Sequence, residues 1–148
     1  MRKLFLMLMV FGIIFLSSCG KKEKDPEPGM LLYKWAKAAE RLDYKTYSIC
    51  EAYPKGESVF REIFKDDYYS DISVITIGDP DTEKKQKDFS GNSFIQRTVT
   101  FEGNAVKRVN SKPYQKVNGD VMLIKFLEGE RKKDGWLILN RTITRVNK

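Results

Sequence analysis

The chain has 148 residues, a formal charge of +7, 41% hydrophobic residues, two cysteines and no histidine. That length suits one domain and is enough to bury a core without disulfide staples. The missing histidine removes the commonest general base near neutral pH, and a basic balance of this size is compatible with nucleic acid, anionic lipid or a solvated surface as partner.

Residues 1–18 follow the order that an exported precursor requires. Arg2 and Lys3 form a positive start, and residues 4–16 are an uncharged apolar run. At about 1.5 Å per residue that run is about 20 Å long as a helix, short of the ~30 Å hydrocarbon core of a bilayer. It suits a signal peptide better than a permanent span. Leu16-Ser17-Ser18-Cys19 then supplies an aliphatic residue, two small residues and a cysteine. This resembles the lipobox of bacterial lipoproteins. The resemblance implies that diacylglycerol is attached to Cys19, that cleavage precedes it, and that the domain sits in the cell envelope outside the cytoplasm. Two or three acyl chains, each CH₂ contributing about 0.8 kcal/mol, give stable anchoring. Gly20 rather than Asp follows the lipid site, which by the enterobacterial pattern implies the outer membrane. Export removes most of the weight from nucleic acid as a partner.

Residues 19–29 carry charges and prolines but almost no apolar side chain, so they read as a solvated tether. Lys21, Lys22 and Lys24 either touch anionic headgroups or belong to a spacer with no lipid preference.

A single domain is expected over residues 30–148. Leu31, Leu32, Trp35, Ala38, Ala39 and Leu42 recur at three and four residues, the stripe of an amphipathic helix. Asp43 caps a second short helix from Tyr44 to about Ala52, closed by Pro54 and Gly56. Ser58 caps a third over residues 59–65, with Phe60 and Phe64 stacked at i and i+4. Residues 69–77 are rich in β-branched side chains and end at a Gly78-Asp79-Pro80-Asp81 turn. Residues 82–92 are polar and read as a loop. A second strand follows over residues 93–109, with Gly103-Asn104 marking a bulge or bend. A third covers residues 114–127, interrupted or begun near Asn118-Gly119. Residues 129–135 form a charged hairpin tip, and residues 136–146 the last strand. Helices first and an antiparallel meander afterwards define an α+β fold.

Two stretches carry a family likeness. Residues 32–39 lead into Leu42-Asp43-Tyr44-Lys45-Thr46-Tyr47, and the chain closes on Gly135-Trp136-Leu137-Ile138-Leu139-Asn140-Arg141-Thr142-Ile143. Together they resemble the NTF2-like superfamily, in which N-terminal helices pack into a cone formed by a curved antiparallel sheet. Cystatin-like and lumazine-binding-like sheets are the alternatives.

Regular alternation along the last strand puts Trp136, Ile138, Asn140 and Thr142 on one face and Leu137, Leu139, Arg141 and Ile143 on the other. In the third strand Met122, Ile124 and Phe126 oppose Val121, Leu123, Lys125 and Leu127. Both faces are apolar and need cover, and one helical layer covers only one. The superfamily resemblance implies a sheet-to-sheet homodimer through the outer face. Inside the cone, Trp35, Tyr44, Tyr47, Trp136, Asn140 and Thr142 either line a small pocket for an amphipathic ligand or simply fill the core, and core packing is the more economical reading.

No catalytic signature emerges. Asp43 beside Tyr44 offers a carboxylate, but a helix cap explains it more cheaply. Cys50 is the only thiol left once Cys19 is acylated, and it reads as a small buried hydrophobe rather than a reactive site. Asp79-Pro80-Asp81-Thr82-Glu83 lacks the glycine and distal glutamate of a calcium loop, so no metal and no cofactor is expected. The runs at Lys84-Lys85-Gln86-Lys87 and Arg131-Lys132-Lys133 read as solvated tips. The expectation is a non-catalytic lipoprotein domain that binds a protein or a small amphipathic ligand. An isomerase- or dehydratase-type enzyme using the cone, or an envelope assembly component, is the alternative.

Overall fold

A computed structural model describes residues 28–146. The signal segment, the lipobox with Cys19 and the tether lysines lie outside the described residues. The chain forms an α+β domain of three helices, α1 (Pro28–Arg41), α2 (Tyr44–Cys50) and α3 (Glu57–Ile63), followed by β1 (Asp67–Ile77), β2 (Asp81–Lys87), β3 (Ser93–Lys107), β4 (Lys112–Phe126), a 3-10 turn (Glu130–Asp134) and β5 (Trp136–Arg145). No helix among the described residues is long and apolar enough to cross a membrane.

The stripe read from the sequence is the buried face of α1: Leu31, Leu32, Trp35, Ala38 and Ala39 are each at most 4% exposed. The helix begins at Pro28 rather than Met30, because proline fits a first turn whose N–H has no intrahelical partner. The Asp43 side chain caps α2, accepting hydrogen bonds from Thr46 N at 3.1 Å and Thr46 Oγ1 at 2.6 Å. The cap of α3 is Gly56, which offers no side-chain hydrogen bond, so Ser58 lies inside the helix and not at its start. At 7 residues each, α2 and α3 are shorter than the ~12–15 residues an isolated helix needs, so tertiary packing sustains them. An aromatic cluster supplies that packing: Tyr47 lies 4.5 Å from Phe60, Phe60 5.4 Å from Phe64, and Phe64 meets Trp35 edge-on at 5.9 Å.

The strands make one antiparallel, unclosed sheet in the order β1-β3-β4-β5. Strand β3 is long enough to pair with two partners on one edge, β1 along its later half and β2 along its beginning. Residues 81–87, expected as loop, are therefore strand. Their polar composition suits an edge that faces water. Strand β4 runs unbroken through Asn118-Gly119. The bulge expected at Gly103 sits instead on the neighbouring strand, where Asp71 adopts φ 51° and the register slips between Ser70 and Ser73. Gly103 is the residue that tolerates it, since a Cβ there would stand 2.9 Å from the Ser70 carbonyl oxygen.

Arg108, just past β3, ties both layers together. Its guanidinium donates to the carbonyls of Glu40 at 2.7 Å, Ala39 at 2.9 Å and Phe64 at 3.1 Å. It thereby bonds carbonyls at the C-terminal ends of α1 and α3, that of Ala39 also accepting from Leu42 N, and places a cation at their negative dipole ends.

The helices cover one face of the sheet, with Val99, Phe101, Val121, Leu123 and Ile138 beneath them. The second face carries a smaller cluster of Phe94, Ile124, Phe126 and Leu137, all at most 6% exposed. Ala52 and Leu139 pack against it, and the Arg131 guanidinium lies 5.0 Å from the Phe126 ring. The apolar end of the outer face thus has cover from within the chain. Beyond that end the face carries Gln96, Thr98, Thr100, Asp120, Met122, Asn140 and Thr142, with Thr100 donating to Asp120 at 2.8 Å.

Gly119 sits opposite Phe101 in the β3–β4 register, and a Cβ at Gly119 would come within 2.6 Å of the Phe101 ring. Gly119→Ala is expected to destabilise the domain by about 1–3 kcal/mol in urea unfolding. Phe101→Leu in the same chain should recover part of that loss, and strict additivity of the two would show that the clash is not the cause.

Candidate functional site

The pairing of β4 with β5 slips by one residue: Met122 faces Asn140, but Leu123 faces Ile138, leaving Leu139 as the extra residue. A bulge of this kind reverses the side-chain alternation beyond it. Trp136 and Ile138 point under the helices before the slip, and Arg141 and Ile143 do so after it. Asn140 and Thr142, expected beside Trp136, are exposed on the opposite face. Of the six pocket residues expected from the sequence, four lie on the helix-covered side. Trp35 and Tyr47 are sealed in the core at 1% exposure. Tyr44 packs on Tyr47 and Phe60 and donates its hydroxyl to the Lys55 carbonyl at 3.0 Å. Trp136 reaches a surface groove.

Arg141 brings together a group that the sequence reading missed. The segment after α2 turns along the edge of β5, with Ala52 N donating to the Ile138 carbonyl at 2.8 Å. Glu51 then points inward and is 5% exposed. One of its carboxylate oxygens accepts from Arg141 Nη1 at 2.6 Å and from Trp35 Nε1 at 3.1 Å. The same guanidinium lies 4.6 Å from the Trp35 ring centroid. From outside, Arg131 donates to the backbone carbonyl of Ala52, and to that of Glu51 at 3.5 Å. Burial pushes the Glu51 carboxyl above its ordinary value, against the opposing pull of Arg141, Tyr47 and Trp35. A buried carboxylate with a raised pKa beside two aromatics is the profile of a general acid or base. Here it is buried, paired with Arg141 and outside the groove lining, and the geometry shows it tying α1, the segment after α2 and β5 together.

The open feature is a groove of about 770 Å³ along the outer side of α1 and α2, closed at one end by the 3-10 turn and Trp136. That volume lies in the usual small-ligand range of about 300–1,000 Å³. Its apolar floor and rim include Met30, Tyr33 and Ile49, which are 63%, 52% and 57% exposed. Lys34, Lys37 and Arg41 of α1 line it, as does Cys50. The Cys50 thiol is buried, bonds the Thr46 carbonyl at 3.3 Å, and is pushed by burial up to about 11, out of reach of thiolate chemistry near neutral pH. No cluster of potential metal ligands occurs among the described residues. No protein-family model matches the chain, and no curated protein matches it either.

Replacing Arg141 with Met leaves a buried carboxylate without its cation. The expected cost at pH 7 is about 3 kcal/mol, the lower end of the range for broken buried pairs because Arg141 retains some solvent contact. The sign with pH follows from the direction of the Glu51 shift. A carboxyl whose folded pKa is raised binds its proton more tightly in the folded state, so its contribution is present below the unfolded pKa and lost as pH rises through the folded one. Urea unfolding of Arg141→Met should therefore show a penalty that shrinks as pH falls toward 4.5. The double variant Glu51→Gln/Arg141→Met should lose that pH dependence. A penalty independent of pH would show that the guanidinium acts only by packing.

Proposed function

We propose that this chain is a bacterial envelope lipoprotein, lipid-anchored through Cys19, whose domain works by binding a small amphipathic ligand in the groove along α1 and α2 rather than by catalysis. The anchoring part rests on the sequence alone: a positive start, an apolar run too short to span, and Leu16-Ser17-Ser18-Cys19 in register behind it. An outer-membrane address rests on Gly20. The order of three helices and then antiparallel strands, with the helices on one face, supports kinship with the NTF2-like superfamily.

One observation carries the binding part. The space beneath the helices is filled by Trp35, Tyr47, Phe60 and Phe101, while three exposed apolar side chains, Met30, Tyr33 and Ile49, stand together along one concave groove on the helices. Exposed Met, Tyr and Ile side chains in a concavity cost free energy that a ligand's apolar surface offsets, at about 25 cal/mol per Å² buried. The catalytic alternative needs a reachable acid or base, and among the described residues the one carboxylate with a raised pKa, Glu51, is buried.

Two measurements test the two parts. Cells producing the chain and fed labelled palmitate should incorporate label into the wild type and none into Cys19→Ala, and label in the variant would remove the anchor. A small apolar reporter such as phenylnaphthylamine should gain fluorescence with the wild-type chain and lose most of that gain with Ile49→Glu. An unchanged signal would move binding away from the groove.

A further inference from the structure

The charges along the groove sort into two sets. The acids are occupied. Asp43 is held by Thr46 as a helix cap, and Asp134 pairs with Arg131 at 3.1 Å. Arg131 is occupied too, by Asp134, by the carbonyls of Glu51 and Ala52 and by the Phe126 ring. Lys37 pairs with Glu40 at 2.6 Å. What remains are Lys34 and Arg41, which make no ion pair among the described residues. They lie two helical turns apart on one side of α1, about 10 Å along the axis. The Lys34 charge is felt at the Cys50 thiol, which sets it toward the seam with α2, and the Arg41 charge is felt at Lys37. The groove lining therefore carries four cations against two carboxylates, with Lys34 and Arg41 in no ion pair, and a net positive lining beside an apolar trough suits an anion that carries an apolar tail.

We infer that the groove takes a long-chain carboxylate, its acidic head held by Lys34 and Arg41 and its hydrocarbon lying against Met30, Ile49 and Trp136. This rests on the groove reading above and adds the sign of the head group. The volume suits one acyl chain better than a two-chain lipid, being within the range for a single small ligand. A carboxylate between an ammonium and a guanidinium makes charge-assisted hydrogen bonds, which a hydroxyl does not reproduce at equal strength and a cationic head makes repulsive.

The test titrates the purified full-length chain with three probes of one tail length: tetradecanoate, tetradecanol and tetradecyltrimethylammonium. Trp136 in the groove provides the fluorescence readout. The carboxylate is expected to bind about tenfold or more tightly than the alcohol, and the ammonium weakest. Lys34→Gln/Arg41→Gln should bring the carboxylate and the alcohol to within about twofold. These side chains are exposed, so the pair of substitutions leaves the core intact. Equal affinity of the wild type for all three probes would overturn the acidic-head inference. In that case weakening of all three by Ile49→Glu keeps the groove as the site, whereas no effect of Ile49→Glu, or no binding of any probe, overturns the groove itself.

Discussion

A carboxylate withdrawn from water sets the terms for the rest of this domain. Glu51 sits between the helices and the last strand, and an ion placed there costs several kcal/mol unless its oxygens are met. Arg141 and the Trp35 indole both meet one of them, from β5 and α1 respectively. Three separated stretches of chain, near residues 35, 51 and 141, are thus held to one point. Misplacing any of them strands a buried charge, so the tie discriminates against wrong packings more than it adds to stability. The bulge at Leu139 belongs to the same arrangement, because without it Arg141 would face the opposite side of the sheet.

That arrangement also decides where open space is left. A cone with an open interior needs small or polar residues under the helices. Here Trp35, stacked on Tyr69 at 6.0 Å, and the Tyr47–Phe60–Phe64 cluster occupy that space. The concavity that survives is on the outer side of the helical pair, where α2 is too short to shield α1 along its whole length. A concave, partly apolar surface thus lies on the helices rather than on the sheet.

Much of this was legible in the residues. The α1 stripe, the Asp43 cap, the burial of Cys50 and the helices-then-strands order follow from local pattern, because each depends on neighbours within a few positions. Strand β2 did not, because an exposed edge strand can be polar throughout and shows no alternation to detect. The inner face of β5 was misassigned beyond one residue, Leu139. A bulge leaves no mark in an apolar run such as Leu137-Ile138-Leu139, and every side chain after it changes sides. Glu51 was missed for the same reason, since its partner Arg141 had been placed on the far face. The groove depends on which charges are already paired, and that is a property of three-dimensional contacts rather than of spacing.

The separation along the chain between Glu51 and Arg141 has a kinetic meaning. They are 90 residues apart, and β5 is the last strand among the described residues. Helices α2 and α3 are too short to persist alone, and the segment after α2 gains its guanidinium and carbonyl partners only once that strand is in place. Closing so long a loop is entropically slow, and little of its cost is recovered before the final contact is made. The tie is therefore among the later contacts of the fold to form. A chain in which β5 is not yet free to pair leaves Glu51 without its cation and Ala52 N without its acceptor.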